Sequence, residues 1–221
     1  MRAARRTTPP SPPSSARTAR GSRRKPCCRR GRLSVSVSEA LPRDRNVVRR
    51  LSAADAEAYR AVMLDAYARH PSAFTSTVEE RAALPLSWWM ERLGAADGAS
   101  GDSVVYGAFD DSGALVGAAG LSFETRERAS HKATLFGMSV KASARRVGFG
   151  RRLVLALLDH ARARAGLRVV QLTVTEGNEA AQKLYEDCGF RSFGVEPMAI
   201  ALGGALLGKV HMWCDLGEGR A

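Results

Sequence analysis

The sequence has no apolar run of the roughly 18 residues that a membrane-crossing helix needs, so no span is expected. It has few cysteines, four in 221 residues, and they form neither a Cys-x-x-Cys pair nor a zinc spacing. A disulfide framework and a zinc site are therefore not expected, and no metal is. Cys27 and Cys28 lie near the N-terminus. Cys188 and Cys214 read as small buried hydrophobes in a reducing, cytoplasmic setting. Acidic residues are nearly missing from residues 1–45, which carry 13 Lys/Arg against 2 Asp/Glu, a net of +11. The rest of the chain balances to +1 of the total +12. A DNA-binding domain would need its basic patch on the folded part, so nucleic acid is not an expected partner of the body.

Residues 1–45 also hold six of the nine prolines and few large apolar side chains. Such a segment buries too little apolar surface to offset its ordering entropy, so disorder is expected. Its Arg- and Ser-rich, acid-poor composition fits an organelle transit segment, and it lacks the apolar stretch of a secretory signal. It also fits a solvated tail, or a translated stretch ahead of a later start codon. The expected organisation is a basic tail over 1–45, a folded domain over 46–216 and a flexible C-terminus over 217–221.

Within the body, Asn46 to Leu51 reads as a strand, and Ser52 with Asp55 as a capping box opening a helix to Arg69. Ala58, Val62, Leu64 and Ala66 are its inward candidates, and His70-Pro71 ends it. A second helix is expected from Leu86 to Leu93. Ser103–Phe109 and Ala114–Phe123 form a hairpin about the turn Asp110-Asp111-Ser112-Gly113. Lys132–Val140 is a third strand. A helix to about Ala165 follows, with the stripe Leu153, Val154, Leu157, Leu158 and Ala161 and Gly166 as its C-cap. Val169–Val174 is a buried strand, a short helix ends at Gly189, and Phe190–Pro197 and Leu206–Leu216 close the sheet. This order gives an α/β (α+β) fold: a mixed, mostly antiparallel twisted sheet with a central parallel βαβ unit and helices on both faces.

Chemistry concentrates in that unit. Arg145-Arg146-Val147-Gly148-Phe149-Gly150 follows a strand and opens a helix. First-turn N–H groups of a helix have no internal partner and sit at the positive end of its dipole, so they hold an anion. Gly148 and Gly150 let the backbone approach closely, and Arg145, Arg146, Arg151 and Arg152 add charge. A ligand with a diphosphate is implied. The third glycine of the dinucleotide fingerprint is missing, as is the Gly-Lys-Ser/Thr of a triphosphate loop. Some thirty residues on come Asn178-x-x-Ala181-x-x-Leu184-Tyr185 and Gly189-Phe190.

The two motifs together resemble the GNAT superfamily of N-acetyltransferases. Arg145-x-x-Gly148-x-Gly150 is similar to that family's acetyl-CoA loop, and the Asn178–Phe190 segment to its second signature. The resemblance covers about residues 46–216 and is dense from Gly137 to Glu196. It implies acetyl-CoA as co-substrate and no metal. It implies that the backbone of Met138, Ser139 and Val140 pairs with the pantetheine arm, and that Arg145, Arg146, Val147, Gly148, Phe149, Gly150 and Arg151 hold the pyrophosphate. Asn178 would bond the pantetheine or act as N-cap. Tyr185 stands at the general-acid position and would protonate the leaving thiolate. The acceptor would be a primary amine of a small molecule, peptide or protein attacking directly, and a homodimer is compatible with the family. The base is left open among Glu124, His131 and Glu176. Phe74, Trp88 and Trp89 are candidates for the acceptor pocket or for core. A non-catalytic acyl-CoA sensor is the alternative, and nucleic-acid binding through the tail a lesser one.

Overall fold

In the computed structural model, residues 47–94 and 102–217 are described. The expectations for 1–45 and for 218–221 lie outside these residues. The order of elements is β1 (Val47–Arg50), α1 (Ala56–Arg69), α2 (Val78–Ala82), α3 (Leu86–Arg92), β2 (Ser103–Phe109), β3 (Leu115–Phe123), β4 (Lys132–Val140), α4 (Phe149–Ala163), β5 (Val169–Thr175), α5 (Glu179–Glu186), β6 (Arg191–Leu202) and β7 (Ala205–Asp215). The strands form one sheet in the order β1-β2-β3-β4-β5-β7-β6. Among the described residues, β4 and β5 are the parallel pair and all other neighbours run antiparallel. This is the expected mixed sheet.

Helices cover both faces. On one, the α4 stripe of Leu153, Val154, Leu157, Leu158 and Ala161 is fully buried against Val104, Leu121, Val170 and Met212. On the other, α1 and α3 cover Val105, Leu115 and Ala118. The inward face of α1 differs from the expectation. Ala56, Tyr59, Val62, Met63, Ala66 and Tyr67 are buried, while Ala58 is exposed and Leu64 only half-buried. The i, i+3, i+4 series starts at Ala56, and Ala58 lies two positions, more than half a turn, out of phase with it. Asp55 fixes that start. Its carboxylate accepts from the Ser52 backbone N–H at 2.8 Å and from two Arg49 guanidinium nitrogens at 2.7 and 3.0 Å.

Three elements depart from the sequence reading. The short helix α2 was not anticipated. Its start is a capping box, in which Thr77 Oγ1 accepts from Glu80 N–H at 3.2 Å and Glu80 Oε2 accepts from Thr77 N–H at 3.0 Å. Helix α4 ends at Ala163, before Ala165. Arg164 is the C-cap, and Gly166 follows in the left-handed region at φ +79°. Strand β6 continues past Pro197 to Leu202, with its pairing to β7 interrupted between Glu196 and Ile200 and Met198 at φ +55°. As an edge strand at an irregularity, β6 accommodates a proline that cannot donate to the ladder.

One irregularity positions the site. Ala118 of β3 faces Ser139, yet Gly120 faces Phe136, so β4 carries an extra residue between them. Gly137 sits in this bulge at φ +61°, a conformation favoured by the lack of a Cβ.

Candidate active site

Strands β4 and β5 pair only through Lys132–Thr134 against Val169–Gln171. Beyond that point β4 follows β3 to Val140, while β5 follows β7 to Thr175. The central strands therefore splay, and the β5-facing side of β4 from Leu135 to Val140 has no strand partner. Such an edge offers unpaired N–H and C=O groups to an extended chain. A cleft of about 1200 Å³ fills the splay. Met138, Ser139 and Val140 line it, as do Arg145, Arg146, Gly148, Phe149, Gly150 and Arg151, and also Asn178 and Tyr185. Thus the structure brings together the residues singled out for the cofactor and for acid catalysis except two: Val147, which is 56 % exposed, and Arg152, whose guanidinium stacks over the Phe149 ring at 4.9 Å and does not line the cleft.

The turn is built for its place at the cleft end. Arg145 Nε donates to the Val140 carbonyl at 3.1 Å, and its Nη2 lies 2.6 Å from His70 Nε2. This side chain clamps the turn to the end of β4. Arg146 takes a left-handed conformation at φ +67°, a strain of about 1–3 kcal/mol that recurs at ligand clamps. Gly148 caps α4 at φ +85°, and nothing within 4 Å would obstruct a Cβ there, so its glycine is required by conformation. Phe149 anchors the turn in the core at 2 % exposure. Arg152 N–H makes the first bond into α4, to the Gly148 carbonyl at 3.1 Å. The N–H groups of Phe149, Gly150 and Arg151 precede that bond and remain for a ligand. Gly150 lies where a Cβ would come within 3.2 Å of the Met138 and Leu184 side chains.

The second motif flanks the same cleft. Asn178 Oδ1 accepts from Ala181 N–H at 3.2 Å, so this residue is the N-cap of α5. About two helical turns later, Tyr185 is 5 % exposed, with its ring edge-on to Phe190 at 5.7 Å. Its hydroxyl makes no hydrogen bond among the described residues. Burial pushes the phenol well above its ordinary ionisation range, with a smaller push from Cys188. Burial thus favours the protonated form, and no acceptor for its proton is present among the described residues.

Of the three candidate bases, only Glu176 lines the cleft. Glu124 and His131 flank the opposite, paired end of β4, where Glu124 N–H bonds the Lys132 carbonyl and the His131 carbonyl accepts from Val169 N–H. Of the three aromatics, Phe74 lines the cleft, edge-on to Tyr67 at 4.6 Å. Trp89 is core at 1 % exposure, and Trp88 packs edge-on against it at 5.1 Å.

The far wall was not legible in the sequence. Tyr59, Tyr67, Arg81 and Arg92 reach it from the three N-terminal helices, and Lys209 from β7. Thr175 Oγ1 donates to the Ser72 carbonyl at 2.6 Å and Lys209 Nζ to Thr75 Oγ1 at 2.7 Å, which pins the segment after α1 over β5 and β7. The capping box Thr77-x-x-Glu80 was a usable signal for the helix carrying Arg81; nothing local announces the others.

Comparison with known proteins matches this geometry. The Acetyltransferase (GNAT) family model matches residues 61–190. The chain is 30% identical over 146 residues to a mycothiol acetyltransferase of Thermobispora bispora, covering 65% of this chain and 45% of that protein. It is 34% identical over 64 residues to a [Ribosomal protein bS18]-alanine N-acetyltransferase of Haemophilus ducreyi, covering 29% of this chain and 43% of that protein. The chain thus spans less than half the length of these curated relatives. Among solved structures, the putative acetyltransferase yncA of Salmonella typhimurium, with acetyl-CoA, superposes with a TM-score of 0.64 at 22% identity over 80% of this chain and 96% of that one. A ribosomal-protein-alanine N-acetyltransferase of Brucella melitensis gives 0.62 at 26% identity over 76% and 99%. With the family model matched over more than half its length, the chain belongs to the GNAT acetyltransferase family.

Proposed function

We propose that this protein transfers the acetyl group of acetyl-CoA to a primary amine by direct attack. The observation that carries the reading is the alignment, along one cleft, of a β4 edge and a buried phenol, both without a partner among the described residues, and a cationic turn. Acetyl-CoA supplies an activated acyl group as a thioester. Its diphosphate suits the N–H groups of Phe149, Gly150 and Arg151, with Arg146 and Arg151 supplying charge. Its extended arm suits the backbone of Met138, Ser139 and Val140, and Asn178 closes the other side. The amine nitrogen forms a bond to the acyl carbon as the carbon–sulfur bond breaks. The Tyr185 phenol gives its proton to the departing sulfur. The amine proton leaves to Glu176, directly or through water.

A phenol whose proton is retained up to high pH is a suitable donor to a thiolate, and removing such a group costs about 10²–10⁴ in rate. In Tyr185→Phe, kcat for thiol release falls by at least about a hundredfold while the dissociation constant for acetyl-CoA stays within about twofold. Thiol-release kinetics beside calorimetric titration checks this. Unchanged kcat would remove Tyr185 from the chemistry. Tight acetyl-CoA binding without turnover on any amine would favour a sensor.

A further inference from the structure

The cleft wall is strongly unbalanced in charge. Arg81, Arg92, Arg145, Arg146, Arg151 and Lys209 line it against a single carboxylate, Glu176. Three of these arginines belong to the turn after β4. Arg81 and Arg92 do not. They come from α2 and α3, and Arg92 stacks over the Phe136 ring at 3.9 Å. Phe136 lies four residues before the end of β4, about 13 Å along the strand from the turn. This pair is therefore separate from the anion site of the turn.

The two guanidiniums stack on one side chain. Their carbons lie 4.9 and 5.1 Å from the centre of the same Trp88 ring, hence no more than 10.0 Å apart. Arg81 also lies 5.9 Å from the Tyr67 ring, and an Nη donates to Ser76 Oγ at 2.7 Å. Its Nε is buried without a partner. Neither arginine forms an ion pair among the described residues. Tyr59, fully buried beneath them, feels both cations; burial nonetheless pushes its phenol up to about 12. Two stacked, half-buried guanidiniums without a counterion are costly unless an anion completes them. The planar forks match a carboxylate, which they can hold with several short charge-assisted bonds.

We propose that the acceptor is an amine that carries a carboxylate near its amino group, and that Arg81 and Arg92 bind that carboxylate. This rests on the acetyltransferase reading above. The same two cations disfavour an ammonium beside them, so they also promote the neutral amine that attacks. The bound carboxylate compensates the charge that remains.

The test uses the full chain with acetyl-CoA and a panel of standard amino acids, each beside its C-terminal amide, with carboxylate-free amines such as tyramine and spermidine. Thiol release gives kcat/KM, and melting with coenzyme A present gives binding. The expected result is a preference for acid over amide of at least about a hundredfold, since a site built for one polar group rejects the analogue lacking it. Arg92→Gln and Arg81→Gln bring the acid-to-amide ratio toward one and retain the melting shift caused by acetyl-CoA. Equal use of acid and amide, or a ratio unchanged in both variants, would overturn the proposal. So would turnover of tyramine or spermidine alone; that outcome leaves the acetyltransferase reading intact. Acetyl-CoA binding with neither turnover nor melting shift for any panel member overturns both.

Discussion

Tyr185 joins burial, sequence position and chemistry in one side chain. It is 5 % exposed, its ring packs on Phe190, and its hydroxyl has no partner among the described residues. Because burial raises the phenol above its ordinary value, the protonated form persists to higher pH than in a free chain. The sign of the effect on rate follows. A free tyrosine loses its proton near about pH 10, so the acid limb for this group lies above that value. The kcat profile therefore shows no fall assignable to Tyr185 below about pH 10. A descending limb near pH 8 that Tyr185→Phe abolishes would contradict this. Arg146 and Gly148 show the same economy on the backbone. Both take left-handed angles, at φ +67° and +85°, within the turn that aims the α4 N–H groups into the cleft.

At the level of elements, the helices are set by short local devices and the site by their packing. Asp55 stitches β1 to α1 through Arg49 and the Ser52 N–H. The Arg49 guanidinium, with help from Ser52, lowers this carboxyl to about 2. A depressed folded-state value contributes stability above the ordinary carboxylate range near about 4, and that contribution is lost as pH falls toward about 2. Asp55→Ala is expected to cost about 1 kcal/mol at neutral pH, as losing a cap does. It also reduces the acid dependence of stability between about pH 4 and 2. Denaturant melts of both proteins across that range decide it; parallel acid profiles would contradict the account. The strong periodicities were legible in the sequence. The α4 stripe, the hairpin from Ser103 to Phe123 and the parallel crossover all follow from patterns of apolar residues. The phase of α1 was not, because a small alanine such as Ala58 fits either face. Strand β6 passed its proline because edge position is a property of the sheet and not of Pro197.

Across the whole molecule, the half of the cleft proposed to take the cofactor was legible because its residues lie on one contiguous stretch, from β4 through α4 and β5 to α5. The opposite wall was not, because Tyr59, Arg81 and Arg92 sit on three separate helices and Lys209 on β7, with no shared motif, and they line one cleft only through folding. The charge balance of the chain also takes its meaning at this scale. Residues 46–221 carry a net of only +1, yet the cleft wall gathers six cations against Glu176. A near-neutral body with a cationic cleft is organised for a small anionic ligand, in keeping with the diphosphate proposed at the turn and the carboxylate proposed opposite it. The central claim is that acetyl-CoA binds along the splay between β4 and β5, with its diphosphate at the α4 N-terminus. The most direct test is the thermal melt of the full chain and of Arg146→Glu, each with and without acetyl-CoA. At about a hundred times the dissociation constant, binding adds roughly 2.7 kcal/mol, which for a domain of this size raises Tm by several degrees. The account predicts that rise in the wild type and its loss in Arg146→Glu. A cooperative wild-type melt that acetyl-CoA does not move would contradict it.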